Sequence, residues 1–183
     1  LKENNFTLCI VNTGGDHVDL TDEYAAITYE NKEVANYFGK DVLSEVTEEE
    51  FYAELAPMGR IFGERALLRG MHFFDENKRV AKQVAALKKL DFEHFVKLFI
   101  ESGQSSMTRL QNIYSPRNPR KQPMTLALEY SRKLLEPVGG GWRVHGGGFA
   151  GTIIAIVPDR FVKTYQREMD KAFGEGATHT LSI

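Results

Sequence analysis

Glycine is concentrated between Gly139 and Gly151, where seven of thirteen residues are glycine. A glycine inside regular structure costs about 0.5 to 1 kcal/mol relative to alanine, because it loses the most conformational freedom on folding. The concentration therefore indicates positive φ angles or a close approach of another group. A tight turn is the simpler explanation, although a two-residue hairpin needs only one or two glycines. Alternatively, the bare backbone N–H groups receive phosphate oxygens or pack against a second loop that does so.

The spacing of Gly146, Gly148 and Gly151 satisfies the pattern G-x-G-x-x-G of dinucleotide-binding folds. In those folds the glycines open a helix whose N-terminus holds a pyrophosphate. Here residues 152–157 are almost all β-branched or apolar and end at Pro158, which predicts a buried strand instead. This disfavours a dinucleotide site. A Walker P-loop fails as well, because no Gly-Lys-Ser or Gly-Lys-Thr follows the glycines.

A second polar segment, residues 13–24, lies between a predicted strand and a predicted helix, where binding residues often occur. Its Asp16, His17 and Asp19 could suggest a metal site. Clustered polar residues in a turn are more often capping groups, and no further ligand is identifiable, so no metal site is predicted. The remaining candidates for acid–base chemistry lie in apparent helix or strand patterns and are predicted to pack or to face solvent: His72, His94 and His179.

Composition is that of an ordinary globular protein of 183 residues, with 42% hydrophobic and 26% charged residues. A net charge of −2 gives no strong field toward nucleic acid or anionic membrane. No apolar run is long enough to span a membrane and no signal peptide is visible, so a cytoplasmic location is expected. Cys9 lies in an apolar run and is predicted to be a buried strand residue rather than a nucleophile.

The chain begins with Leu1, and a strand is predicted almost at once. We therefore expect residues 1–183 to be a single domain excised from a longer protein, whose N-terminal part holds half of any site. Hydrophobic periodicity and turn residues predict these elements: a strand over 6–12, a helix capped by Thr21 or Asp22 and stopped by Gly39, a helix from Thr47, helical segments over 61–90 with possible breaks at Gly63 and Gly70, a helix capped by Asp91 and ending at Gly103, a proline-rich loop over 115–123, a helix over 124–135, strands over 140–145 and 151–157, a helix over 159–173 and a strand over 177–183.

Apart from the helical insertion, this order is the split β-α-β-β-α-β arrangement of ferredoxin-like sheets. The predicted fold class is α+β, an antiparallel sheet covered by helices. In that topology the glycine-rich segment joins the two middle strands as a hairpin. The three basic residues of the proline-rich loop, Arg117, Arg120 and Lys121, are predicted to be solvated, although contact with an anionic ligand is an alternative.

Two segments resemble the C-terminal half of the galactokinase branch of the GHMP small-molecule kinases. One is the strand, polar turn and helix start of residues 10–24, with His17 and Tyr24. The other is Gly-Trp-Arg-Val-His-Gly-Gly-Gly-Phe-Ala-Gly-Thr at 141–152. Residues 65–80 are similar to a helix of the same family, so the resemblance extends over nearly the whole chain.

The resemblance implies an enzyme that moves the γ-phosphoryl group of ATP, with Mg²⁺, to the C1 hydroxyl of galactose or a related sugar. It implies that Tyr24 binds the sugar and that Gly146, Gly147, Gly148 and Gly151 lie at the active site. The phosphate loop, the acidic sugar-binding motif and the catalytic aspartate belong to the N-terminal half of the family. We therefore assign no catalytic residue and no metal ligand to this chain, and expect it to be inactive without that half.

Three positions depart from the family motif: Trp142 replaces a small residue, His145 replaces threonine and Ala150 replaces glycine. These differences indicate a divergent subgroup and leave the sugar open. A non-catalytic relative that senses sugar and a stand-alone ferredoxin-like module that binds a small effector are alternatives of other classes. Mevalonate or homoserine are alternative kinase substrates, although Tyr24 and its loop favour a sugar.

Overall fold

The computed structural model describes residues 1–15, 20–149 and 151–181. Its sheet has four strands, β1 (Phe6–Asn12), β2 (Gly141–Val144), β3 (Thr152–Pro158) and β4 (Thr178–Leu181). The spatial order is β2-β3-β1-β4, and every pair of neighbours is antiparallel. This is the order of a ferredoxin-like sheet, so the predicted fold class is confirmed. The glycine-rich segment joins the neighbouring strands β2 and β3 as a hairpin, as predicted.

Seven α-helices accompany the sheet in the described part of the chain. In chain order they are α1 (Thr21–Tyr37), α2 (Glu48–Ala53), α3 (Leu55–Phe62), α4 (Glu64–Lys88), α5 (Phe92–Ser105), α6 (Pro123–Leu135) and α7 (Val162–Phe173). A single turn of π-helix, Ser106–Leu110, extends α5 and ends at Gln111, which has a left-handed backbone. Within the described ranges, no helix has both the length and the apolar composition needed to cross a membrane.

The two faces of the sheet are covered differently. One face presents Cys9 and Val11, which are fully buried beneath α6 and α7 in the largest hydrophobic cluster. The other face presents the half-buried Leu8 and packs against α5 through a smaller cluster that includes Val96, Phe99 and Ile156. Strand alternation explains this division, because successive side chains point to opposite faces.

Helices α1 to α4 form the helical insertion, which has its own hydrophobic cluster. Phe51 and Met58 are fully buried in this cluster, together with Val34 and Ala35 of α1. Residue Thr47 closes a capping box with Glu50 at the start of α2, which is where a helix start was predicted. The helix predicted from there is interrupted at Glu54, so Phe51 and Met58 lie on two short helices rather than on one.

The glycines in the long helical segment have different roles. Gly63 separates α3 from α4 with φ +82°, a left-handed conformation that glycine adopts readily. Gly70 does not break α4; a Cβ there would lie 2.8 Å from Cε2 of Phe51, so glycine allows that ring to pack against the helix. Only the predicted break at Gly63 is therefore correct.

Three further sequence predictions need correction. The N-cap of α1 is Leu20 rather than Thr21 or Asp22, and no side chain caps this helix. The apolar period predicted over 61–90 does not mark a buried face at its C-terminal end, where four apolar side chains are 46% to 82% exposed: Val80, Val84, Leu87 and Leu90. The helix predicted to end at Gly103 continues to Ser105. Gly103 has a packing role instead: a Cβ there would lie 2.8 Å from that of Arg143, so glycine lets α5 cross β2 closely.

Candidate functional site

The glycine loop, residues 145–151, turns the chain from β2 to β3. Gly146 and Gly148 have φ values of +67° and +83°. Across the base of the loop, the backbone N–H of His145 donates to the carbonyl of Thr152 at 3.2 Å, and its Nδ1 lies 2.9 Å from Thr152 Oγ1. The left-handed glycines and this closure define a tight hairpin. His145 thus has a structural partner at the position where threonine is usual in the family motif.

Tyr24, on the first turn of α1, packs directly onto the glycine loop. Its hydroxyl donates a hydrogen bond of 2.7 Å to the carbonyl of Gly148. Its ring meets that of Phe149 edge to face, with centroids 5.2 Å apart. A Cβ at Gly147 would lie 2.8 Å from Tyr24 Cε1, so this glycine is needed for the ring to approach. Burial raises the pKa of the Tyr24 phenol, which keeps the hydroxyl protonated and able to donate.

Asn112 also holds the glycine loop. Its carbonyl oxygen accepts a hydrogen bond from the backbone N–H of Phe149, and its side-chain amide donates to the carbonyl of Gly147 at 3.2 Å. A Cβ at Gly148 would lie 2.0 Å from the Asn112 carbonyl oxygen. Phe149 itself has φ +60°, which is uncommon for a bulky residue. The contacts with Asn112 and Tyr24 hold it in this conformation.

Asn112 is not evident as a site residue from the sequence pattern. It is 2% exposed and follows the left-handed Gln111 at the end of the π-helical turn. A π-helical turn is often found at functional sites, but its presence is not visible in the residue pattern. A buried asparagine that contacts a loop 35 residues away could be recognised only from the folded structure.

The polar segment after β1 also meets the glycine loop. The backbone N–H of Thr13 donates to the carbonyl of Gly151 at 2.8 Å, and its hydroxyl donates to the same oxygen at 2.7 Å. Both segments singled out in the sequence therefore lie together at one end of the sheet. Asp16, His17 and Asp19 lie outside the described residues, as does Ala150. Among the residues that the structure does describe, no three histidine, cysteine or acidic side chains form a group that could hold a metal ion.

Buried charges fix the helix that carries Tyr24. Glu30, on α1, accepts from Arg65 and from Arg69, the latter through Nη1 at 2.7 Å. Arg69 is 1% exposed, and its Nε also donates to the carbonyl of Leu110 at 3.0 Å. The Arg69 side chain therefore joins α1 and α4 to the segment that precedes Asn112.

Glu23, adjacent to Tyr24, provides a second attachment. Its Oε1 accepts from Ser115 at 2.7 Å and lies 3.5 Å from Arg117 Nε. Arg117 also donates to Asp22 at 2.8 Å. The proline-rich loop thus binds the start of α1. Arg117 is exposed, as predicted, and it also forms surface ion pairs with Asp22 and Glu23.

The cysteine and three further histidines occupy packed or surface positions. Cys9 is fully buried, as predicted, and burial raises its pKa to about 12, so it is not a nucleophile. His72 packs between α4 and α5 with Nδ1 2.9 Å from Ser105 Oγ. His94 and His179 are exposed. These positions agree with the predicted packing and surface roles.

The glycine loop presents backbone N–H groups of the kind that bind anions in proteins. Gly146 and Gly147 are exposed, and within the described residues the N–H groups of Gly146, Gly147 and Gly148 donate to no acceptor. Such N–H groups form a concave anion site when the backbone alternates between right- and left-handed conformations, and Gly146 and Gly148 supply left-handed positions. The chemistry available here is binding of phosphate oxygens beside a phenolic hydroxyl.

The sequence is similar to those of galactokinases. The chain is 33% identical over 155 residues to galactokinase of Haemophilus influenzae strain PittEE, which covers 81% of the chain and 36% of that relative. It is 29% identical over 167 residues to galactokinase of Actinobacillus pleuropneumoniae, covering 90% of the chain and 40% of the relative. Human galactokinase is 28% identical over 182 residues, covering all of the chain and 43% of the relative. The chain therefore spans about two fifths of the length of the curated relatives it matches. No family model matches the sequence.

A solved structure has the same fold. The crystal structure of Lactococcus lactis galactokinase complexed with galactose superposes with a TM-score of 0.71 at 21% identity, covering 97% of this chain and 44% of the other. The fold, the two motifs and the relatives agree. The chain belongs to the galactokinase branch of the GHMP small-molecule kinase family and corresponds to the C-terminal half of its members.

Proposed function

We propose that residues 1–183 are the C-terminal domain of an ATP-dependent sugar kinase, which transfers the γ-phosphoryl group of ATP to the C1 hydroxyl of galactose or a related sugar. One observation carries this proposal: Tyr24 and the glycine loop, 124 positions apart in sequence, are joined by the hydrogen bond from the Tyr24 hydroxyl to Gly148. A group that suits a sugar and a group that suits a phosphate are thereby held side by side. The galactokinase relatives support the choice of reaction.

Tyr24 is the proposed sugar-binding residue. A phenolic oxygen that donates one hydrogen bond can still accept others, and sugar hydroxyls are donors. The bond to Gly148 fixes the direction of the Tyr24 hydroxyl, and contact with Phe149 fixes its ring. A sugar that binds Tyr24 would therefore be oriented by a group with little freedom to rotate.

The glycine loop is the part of this chain proposed to approach the transferred phosphoryl group. Phosphoryl transfer depends on positioning and on stabilising charge over the phosphoryl oxygens. Backbone N–H groups suit such oxygens, and Gly146 and Gly147 are exposed residues of a loop that Tyr24 and Asn112 hold in place. The proposal gives this chain positioning and binding roles and no catalytic side chain.

ATP and Mg²⁺ are proposed to bind mainly to an N-terminal half, the expected partner domain of this chain. When bound, they supply the phosphoryl group and neutralise its charge. The part of this chain that we propose for the nucleotide site is the backbone of the glycine loop.

The test is an assay of the longer protein that contains this chain. Purified protein is incubated with ATP, Mg²⁺ and galactose, and sugar phosphate and ADP are quantified, with glucose, mevalonate and homoserine as comparison substrates. We expect galactose or a close relative to be the best substrate. Residues 1–183 alone should give no turnover. Sugar binding without phosphorylation by the longer protein would instead identify a sensor, and turnover by the isolated chain would contradict the division of the site.

A further inference from the structure

Asn112 contacts three consecutive residues of the glycine loop, Gly147, Gly148 and Phe149. Its side-chain amide donates to the carbonyl of Gly147 at 3.2 Å, and its own carbonyl accepts from the N–H of Phe149. Between these two bonds, a Cβ at Gly148 would lie 2.6 Å from the Asn112 amide nitrogen. Asn112 therefore follows the backbone of the loop with both its main chain and its side chain.

These hydrogen bonds fix the direction of one N–H group of the loop. A trans peptide unit is planar, so its carbonyl and its N–H point in opposite directions as one rigid group. The bond from Asn112 to the carbonyl of Gly147 thus holds the N–H of Gly148 facing away from Asn112. In the described chain that N–H donates to no acceptor. The next peptide unit is held at both ends, by Tyr24 at the carbonyl of Gly148 and by Asn112 at the N–H of Phe149.

The segment that carries Asn112 is itself fixed. Asn112 is 2% exposed and follows Gln111, whose left-handed φ of +58° ends the π-helical turn. Just before it, the carbonyl of Leu110 accepts from Nε of the buried Arg69 at 3.0 Å. Arg69 is anchored in turn by Glu30. Asn112 therefore reaches the loop from a segment with little freedom to move.

Stability alone does not explain an amide at position 112. The Oδ1 atom of Asn112 is buried and has no hydrogen-bond partner within the described residues, which is unfavourable. Rotation of the amide by half a turn would place that oxygen against the carbonyl of Gly147, so only the present orientation provides the bond to the loop. A leucine of similar size would remove the unpaired oxygen. What the amide specifically contributes is its hold on the peptide between Gly147 and Gly148.

We propose that Asn112 is a positioning residue for phosphoryl transfer. Its amide sets the peptide between Gly147 and Gly148 so that the N–H of Gly148 meets an oxygen of the transferred phosphoryl group. This inference rests on the function proposed above. Because phosphoryl transfer depends on stabilising charge over those oxygens in the transition state, a misdirected N–H lowers turnover more than it weakens binding. The sugar contact belongs to Tyr24, so galactose binding should change little.

Steady-state kinetics of the longer protein test this role with Asn112→Leu, which keeps the size of the side chain and removes the amide. We expect kcat to fall about 10- to 100-fold, while the KM for galactose changes less than about twofold. Asn31→Leu is the matched control and should keep its kcat. Asn31 also has a buried, unpaired Oδ1, but it lies on α1 and, within the described residues, has no hydrogen bond to the glycine loop. Urea denaturation should give Asn112→Leu a midpoint close to that of the unaltered protein, which separates positioning from a structural role.

Asn112→Asp gives a second signature, in the pH profile. A protonated carboxyl group can donate to the carbonyl of Gly147 as the amide does, whereas an ionised carboxylate repels it. Burial raises the pKa of such a carboxyl, so a lower pH restores the donor. We expect kcat of Asn112→Asp, divided by that of the unaltered protein, to rise about fivefold between about pH 8 and about pH 6. The same ratio for Asn112→Leu should not depend on pH.

Every outcome supports or overturns the positioning role. If the unaltered longer protein phosphorylates no sugar, the proposed kinase function is overturned and this role with it. If that protein is active, an unchanged kcat in folded Asn112→Leu overturns the positioning role alone. A higher KM for galactose without a loss of kcat does the same, as does an equal loss of kcat in Asn31→Leu. Should Asn112→Leu fail to fold, the Asn112→Asp ratio decides, and a ratio independent of pH refutes the role.

Discussion

At the residue scale, the glycines of the loop are required for different reasons. Gly147 and Gly148 are needed for space, since a Cβ would strike Tyr24 in one case and the Asn112 carbonyl in the other. Gly146 has a left-handed backbone, but a Cβ there would meet nothing within 4 Å. The three adjacent glycines therefore tolerate substitution differently, and this difference separates backbone strain from steric contact.

Substitution of these glycines by alanine tests that difference. Gly146→Ala should lower the free energy of unfolding by about 1 to 2 kcal/mol, because only the left-handed backbone is strained. Gly148→Ala has the same strain and also a contact of 2.0 Å with backbone, which cannot relax cheaply. It should be destabilised by at least about 2 kcal/mol more. Urea denaturation of both variants measures the difference, and equal values would mean that the loop moves away from Asn112 freely.

Tyr24→Phe tests the proposed sugar contact in the longer enzyme. Loss of one neutral hydrogen bond should weaken sugar binding by about 0.5 to 1.5 kcal/mol. Tyr29→Phe is the matched control, since Tyr29 lies on the same helix but is 63% exposed. Isothermal titration with galactose gives both affinities. An unchanged affinity in Tyr24→Phe would count against Tyr24 as a ligand, even though the bond to Gly148 is lost.

The sequence predicts some of these residues and not others. Tyr24 and the glycines lie in motifs whose order along the chain is visible. Asn112 has no local signal, because its role depends on where the segment after α5 crosses the loop. The partners of Arg117 likewise become evident only when distant segments meet.

At the scale of elements, α1 is held through its buried face. Arg69 lies on α4 and is 1% exposed, so its charge depends on Glu30 for compensation. Burial lowers the pKa of Arg69, and Glu30 opposes that effect. Removing one partner of a buried ion pair is much more harmful than removing both, because the remaining charge has no counterion.

A comparison of single and double variants tests this attachment. Glu30→Leu should cost about 3 to 5 kcal/mol in the free energy of unfolding, and addition of Arg69→Met should recover part of that loss. Lys78→Met removes an exposed pair with Glu48 and should cost less than about 1 kcal/mol. Urea denaturation provides all three values. A double variant less stable than Glu30→Leu would contradict the role of uncompensated charge.

The junction of α4 and α5 should make stability depend on pH. Burial lowers the pKa of His72, with Glu76 opposing and Arg79 reinforcing the shift, so the folded state binds a proton less readily than the unfolded state. Stability should therefore be fully present above the ordinary pKa of 6.5 and decline as the pH falls below it.

Denaturation at about pH 7.5 and about pH 5.5 checks this sign. The loss of stability at the lower pH should be smaller in His72→Gln, whose amide can still reach Ser105, than in the native chain. His94→Gln alters an exposed residue and should leave the loss unchanged. A native-like pH dependence in His72→Gln would place the responsible group elsewhere.

Element types follow from the sequence more readily than element ends do. Periodicity identifies the four strands and the cores of the long helices because burial of one face imposes it. It does not reveal the interruption at Glu54, where a short helix ends and another begins at once. It also misleads at the end of α4, where Val80, Val84 and Leu87 keep a helical spacing with no element packed over them in the described chain.

At the scale of the whole molecule, two hydrophobic clusters must act together for the site to exist. One lies between the sheet and α6 and α7, and the other lies within the helical insertion. Tyr24 belongs to a helix of the insertion, whereas the glycine loop belongs to the sheet. The contacts that join them include the Tyr24 hydrogen bond to Gly148, the edge-to-face contact of the Tyr24 ring with Phe149, and the Arg69 hydrogen bond to Leu110.

Because these connections are buried or close-packed, residues 1–183 should unfold as one cooperative domain. Trp142 emission reports on the sheet cluster, and far-ultraviolet circular dichroism reports mainly on the helices, most of which belong to the insertion and its neighbours. The two signals should give the same urea midpoint in the native chain. Glu30→Leu, which weakens a contact between α1 and α4, should shift both midpoints equally. Separate midpoints would mean that the insertion unfolds alone, and that the Tyr24 side of the site depends on the longer protein for its stability.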